Sequence, residues 1–147
     1  MREKGGKMDF TGKTTVFTYG TLMRGFHNEI VIDGFPHENF TATVKNMDLY
    51  DVGRFPAMVK GTKDVVGELI VFDDSVNKSH LYSNMDRLEG YNSQNPETSL
   101  YVREPVTVYV DGVPVETEVY LWNRPCDNLV PIDLEKYSGY REYMERD

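Results

Sequence analysis

Two stretches carry the groups that could do chemistry. In Phe17-Thr18-Tyr19-Gly20-Thr21-Leu22, a run of β-branched and aromatic residues beginning at Thr14 stops at Gly20. That composition predicts a strand over Thr14 to Tyr19. Glycine at its end either takes a positive φ or lets another group approach the backbone. A strand ending in Gly-Thr before a helix-tolerant segment, here reaching Ile30, leaves backbone N–H groups without partners and suits a carboxylate or phosphate. The plainer reading is a strand–turn connection. The second stretch ends at Glu89. Leu81, Met85 and Leu88 are spaced by four and three, the apolar stripe of a helix over residues 77–88. Glu89 falls on that stripe, and Gly90 fits the C′ position that ends the helix. Burial and the negative end of the helix dipole both oppose ionisation there. Glu89 is then either a helix-end glutamate bending out to solvent or a general base or acid of raised pKa. Asp86 points away from the stripe and calls for no special role.

Other chemistries find less support. His27, His37 and His80 share no ligand spacing with each other or with Cys126. No Gly-x-Ser-x-Gly elbow is present, and Cys126, between Pro125 and Asp127, has no basic neighbour to favour a thiolate. Gly20 and Gly25 have the spacing of P-loop glycines, but Phe26 stands where the lysine belongs, which argues against nucleotide binding.

The elements that must position these groups follow from patterning. One or two helical turns are expected over Glu29 to Ile32. Phe40, Ala42 and Val44 alternate with Thr41, Thr43 and Lys45, a half-buried strand continuing towards Leu49-Tyr50. A loop at Asp51 to Pro56 precedes a strand pair, Ala57–Lys60 and Val65–Phe72, and Gly67 inside the second suggests a bulge or bend of the kind a closing barrel uses. Asp73-Asp74-Ser75 offers N-caps for the helix. Asn92 to Ser99 is a polar loop. Strands over 105–110 and 115–122 flank Asp111-Gly112-Val113-Pro114, a hairpin signal. Leu134, Tyr137, Tyr140 or Arg141, and Met144 form a helical stripe in the terminal segment.

The 147 residues suggest one domain, set at residues 14–147 with a mobile leader over 1–13. Composition is that of a soluble globular chain, 39% hydrophobic and 27% charged. The net charge of −8, from 16 basic against 24 acidic residues, argues against nucleic-acid or anionic-membrane surfaces. A single cysteine excludes an intramolecular disulfide, no apolar run approaches the ~20 residues of a membrane span, and the first residues lack a signal peptide's apolar region. A cytoplasmic protein is expected, with no nucleic-acid or membrane partner and an undetermined oligomeric state.

Tyr19-Gly20-Thr21-Leu22 with Arg24-Gly25 and Asn28 resembles the signature loop of the γ-glutamyl cyclotransferase-like family. Met85-Asp86-Arg87-Leu88-Glu89-Gly90-Tyr91, followed by Tyr101-Val102-Arg103, is similar to a second family motif, and Leu49–Ala57 and Val66-Gly67-Glu68-Leu69 match its middle part. The similarity runs in order from Val16 to Trp122 and is nearest to the γ-glutamylamine cyclotransferase branch. Met85 replaces the usual Leu. The Asn92–Ser99 loop is longer than in compact members and adjoins the site, which bears on substrate range. The resemblance implies an α+β fold, a small mixed β-barrel flanked by a few helices. It also implies a small-molecule γ-glutamyl substrate converted to 5-oxoproline and a free amine, with no cofactor or metal. Glu89 would be the catalytic acid–base; Tyr19, Gly20, Thr21 and Leu22 would bind the substrate, with Tyr101 in the pocket wall. The alternative is a non-catalytic barrel binding a small acidic ligand or a protein.

Overall fold

One long strand organises the sheet. The computed structural model describes residue 10 and residues 12–146, so most of the expected leader lies outside the described residues; Phe10 packs its ring 5.2 Å from that of Phe40. The strands are β1 (Thr14–Thr18), β2 (His37–Asp51), β3 (Pro56–Lys60), β4 (Lys63–Phe72), β5 (Tyr101–Val110), β6 (Val113–Trp122) and β7 (Val130–Pro131). The helices are α1 (Lys78–Glu89) and α2 (Tyr140–Met144), with 3-10 turns at His27–Val31 and Pro96–Thr98. Strand order is β1-β4-β2-β5-β6, and β3 and β7 pair with the far end of β2. Every pairing is antiparallel. The α+β architecture is as expected; in detail the sheet is antiparallel rather than mixed, and its ladder is not closed. Its two edges nevertheless meet through the hydroxyls of Thr15 and Thr117, 2.6 Å apart.

The curl comes from β2. Ala42 and Val44 are buried, then Met47 and Leu49, so the inward phase slips by one residue. The slip is a bulge between Val44 and Met47, with Asn46 at φ 62, a conformation that asparagine tolerates better than most residues. No bulge occurs at Gly67, whose pairing with Ala42 continues in register. Gly67 serves close approach instead: a Cβ there would lie 2.3 Å from the Thr18 carbonyl oxygen. Between β5 and β6, Asp111 and Gly112 both take positive φ, 51 and 79, the mirror-image two-residue turn that a twisted hairpin favours.

Both faces of the curled sheet are covered. One face buries Phe17, Val44, Leu69, Val108 and Val119. The other buries Val16, Ile70, Phe72, Tyr101 and Tyr120 beneath Leu81 and Met85 of α1. With apolar material on each side, β4 is buried almost continuously from Val65 to Phe72. The terminal segment is less helical than its periodicity suggests. Only the five residues of α2 form a helix, burying Tyr140 and Tyr143, while Met144 is exposed.

Candidate active site

β1 delivers its chain end to a sharp turn. Met23 N–H donates to the Gly20 carbonyl at 3.0 Å and Phe26 N–H to that of Met23 at 3.0 Å. Gly20 does not take a positive φ. Its need is room: a Cβ would lie 2.8 Å from Cγ and 2.9 Å from Cδ of Pro56. Pro56 in turn accepts the Tyr101 hydroxyl on its carbonyl at 2.7 Å, and the Tyr19 hydroxyl donates to the Tyr120 carbonyl at 2.6 Å. Thr21 Oγ1 accepts from Asn28 Nδ2 at 2.8 Å, while Asn28 N–H donates to the Thr21 carbonyl at 3.1 Å. Among the described residues, the N–H groups of Gly20, Thr21 and Leu22 find no acceptor.

The back of this loop is clasped by Glu68, which is 7% exposed. Its Oε1 accepts from Arg24 N–H and from Asn39 Nδ2, each at 2.8 Å, and its Oε2 pairs with Arg141 Nη2 at 2.9 Å. Arg141 also donates to the Arg24 carbonyl and lies over the Phe26 ring. Glu68 carries no local sign of this role in sequence, because its partners come from three separate elements.

Glu89 arrives from the other side. Asn77, not Asp73, Asp74 or Ser75, caps α1, accepting from His80 N–H at 3.1 Å; Asp73 instead closes its own turn on Ser75 N–H. Gly90 ends the helix in the left-handed region, φ 64 and ψ 37, and Tyr91 N–H reaches back to the Asp86 carbonyl at 2.9 Å, as a Schellman end requires. With Leu81 and Met85 fixed in the core, Glu89 is turned into a cavity of about 120 Å³ shared with Tyr19 to Leu22, Asn28 and Tyr101. Loss of solvation, with a smaller contribution from the Asp86 carboxylate, pushes its carboxyl up from 4.5 to about 8. Among the described residues no cation or hydrogen-bond donor compensates it. Burial also holds the Tyr19 and Tyr101 hydroxyls well above their ordinary range, so they face Glu89 as neutral groups.

The expected site residues, Tyr19, Gly20, Thr21, Leu22, Glu89 and Tyr101, thus line one cavity, with Phe55, Pro56 and Leu100 as its apolar wall. The Asn92–Ser99 loop does not line it. Its polar side chains fold inward on their own backbone, Ser99 Oγ accepting from Asn92 N–H at 2.9 Å, and Arg124 Nη2 donates to the Thr98 carbonyl at 2.8 Å. Asp86, dismissed by its helical phase, takes Arg103 Nη1 at 2.6 Å and the Tyr120 hydroxyl at 2.5 Å on one oxygen. Helical phase shows which face a residue occupies but not what the sheet presents to that face.

The chain belongs to the gamma-glutamyl cyclotransferase, AIG2-like family, whose model matches residues 16–140. Solved structures agree in fold. YkqA of Bacillus subtilis is 19% identical with a TM-score of 0.63, the match covering 90% of this chain and 41% of that one. A solution structure from Arabidopsis thaliana is 19% identical at a TM-score of 0.63, covering 87% and 82%. The ytfP protein of Escherichia coli is 21% identical at 0.53, covering 81% and 91%. This chain therefore spans under half of YkqA. Comparison with curated proteins yields no match. Among the described residues no helix is long and apolar enough to cross a membrane.

Proposed function

We infer that the chain is a γ-glutamyl cyclotransferase that converts a γ-glutamyl amide or amine conjugate to 5-oxoproline and the free amine. One observation carries this reading: a desolvated carboxyl shares a cavity with the backbone N–H groups of Gly20 to Leu22, and among the described residues neither has a partner. The N–H groups of Gly20 to Leu22 hold the substrate's α-carboxylate, and the apolar wall folds the chain so that its α-amine meets its own γ-carbonyl. Such orientation supplies part of the ~7–11 kcal/mol available from proximity. The amine nitrogen attacks the γ-carbon, its proton passes to the Glu89 carboxylate, and the same proton is delivered to the leaving nitrogen as the amide bond breaks. No water is consumed. With its carboxyl pushed up to about 8, Glu89 is a stronger base towards the amine proton than an ordinary glutamate.

The test is a screen of γ-glutamyl amides, γ-glutamyl dipeptides and glutathione for 5-oxoproline release, with Glu89→Gln as control. Release that vanishes in the variant is expected. Binding of γ-glutamyl compounds without release of 5-oxoproline from any of them would instead make the protein a binding module.

A further inference from the structure

One turn before Glu89, on the same end of α1, lies a charged cluster that the proposed reaction leaves unused. Asp86 Oδ1 receives Arg103 Nη1 of β5 at 2.6 Å and the Tyr120 hydroxyl of β6 at 2.5 Å. Arg103 is half-enclosed: it stacks over the Tyr82 ring at 4.2 Å and faces Tyr91 at 5.6 Å, and its Nε lies 3.5 Å from Glu118. Tyr120 also lines the cavity and accepts the Tyr19 hydroxyl on its carbonyl. The network therefore joins the two sheet strands under α1 to the last turn of the helix and to the wall of the cavity.

Side chains three apart on a helix are neighbours, roughly 5–6 Å between Cβ atoms, so the charge on Asp86 acts directly on Glu89. We propose that Asp86 is a positioning residue, held in place by Arg103 and Tyr120, that sets the proton affinity of Glu89. The proposal rests on Glu89 being the acid–base group of the proposed reaction. The other groups facing Glu89, Tyr19 at the end of β1, Tyr101 on β5 and Tyr120 on β6, are held neutral by burial. Of the charges, Asp86 raises the affinity of Glu89 for a proton; Arg103, paired with Asp86 at 2.6 Å and Glu118 at 3.5 Å, bears the opposite sign and on the proposal offsets it. Asp86 and Arg103 consequently act in opposite directions, which a purely structural role for the pair does not require.

The test reads Glu89 directly, by ¹³C NMR titration of its labelled carboxyl, assigned by loss of the signal in Glu89→Gln. Asp86→Asn is nearly isosteric and should move the Glu89 titration down by about one pH unit, because it removes a like charge and leaves Arg103 uncompensated. Arg103→Met should move it up, and Arg103→Lys, which keeps the charge, should leave it near the parent. If Arg103→Met fails to fold, the contrast of Asp86→Asn with Arg103→Lys still decides. Folded Asp86→Asn protein whose Glu89 titrates as in the parent overturns the proposal, as does movement of both charge-removing variants in one direction. Titrations that move as stated in a protein giving no 5-oxoproline would uphold the network and reject the function; turnover with unmoved titrations would do the reverse.

Discussion

The molecule sets two glutamates, a buried Glu68 and a half-buried Glu89, in opposite electrostatic settings. Glu68 is surrounded by donors: the Arg24 N–H, the Asn39 amide and the Arg141 guanidinium fill its two oxygens. Glu89, at the end of α1, has no donor among the described residues and a like charge one turn away. A carboxylate whose charge is matched where it is buried fixes structure, here the back of the Tyr19–Gly25 turn. One whose charge is unmatched has a proton to trade, because the folded chain favours its neutral form. Glu68 is the more deeply buried of the two, Glu89 being half-buried, so it is the surrounding donors and not the depth that let Glu68 keep its charge.

The largest effect should come from removing the unmatched acid. Glu89→Gln keeps shape and volume but cannot carry a proton, so 5-oxoproline release should fall by at least ~10²–10⁴-fold while the circular dichroism spectrum stays unchanged. Near-parental turnover would place the chemistry elsewhere.

The same substitution should reverse sign when stability is measured. The folded state holds the Glu89 proton up to about 8 against an ordinary value of 4.5. Below 4.5 both states are protonated and the contribution is fully present. As pH rises through the window the unfolded chain ionises first, and stability is lost until the folded carboxyl ionises as well. Glu89→Gln lacks this loss. Its advantage over the parent in chemical denaturation should grow from pH 4.5 to pH 8 and then level off, reaching a few kcal/mol. A difference that stays flat across that range would mean that Glu89 ionises as freely as a surface glutamate.

Glu68→Gln should do the opposite, costing stability and little chemistry. It weakens charge-assisted bonds to Arg24 and Arg141, worth roughly 1.5–3 kcal/mol, and at saturating substrate the turnover of the folded fraction should persist. Loss of turnover with full stability would erase the distinction between the two acids.

The legible parts of this fold are those written in local sequence. β1 with its stop at Gly20, the Asp111-Gly112 hairpin, and α1 with Glu89 before Gly90 each follow from periodicity and turn chemistry over a dozen residues. What stayed hidden depends on partners distant in sequence. Glu68 meets Arg141 across 73 residues, and Asp86 meets Tyr120 across 34, so neither acid announces its company. Gly67 suggests a bulge or bend, yet the register slips between Val44 and Met47, at Asn46, since either residue can break a ladder and only the pairing decides which does. Gly20 offered two reasons for a glycine, a positive φ or close packing, and the choice rests on Pro56, brought there by β3. Asp73-Asp74-Ser75 looked like a cap for α1, but chain geometry made Asn77 the residue that faces the first free N–H groups.

The smallest expected effect tests whether the loop works through its main chain. If the N–H groups of Gly20 to Leu22 hold the substrate's carboxylate, the Thr21 side chain acts only through Asn28, whose amide it accepts at 2.8 Å. Thr21→Ser retains that hydroxyl and gives up one buried methyl, about 0.8 kcal/mol of contact, so kcat/KM should change by no more than about fourfold. Thr21→Val keeps the bulk and removes the acceptor, leaving the Asn28 amide unpaired at the cavity edge, and should cost more than Thr21→Ser at equal fold. Measured side by side, the two variants separate hydroxyl from methyl. If Thr21→Ser lost activity by orders of magnitude while remaining folded, the threonine side chain would itself bind substrate, and the main-chain cradle would no longer account for how the carboxylate is held.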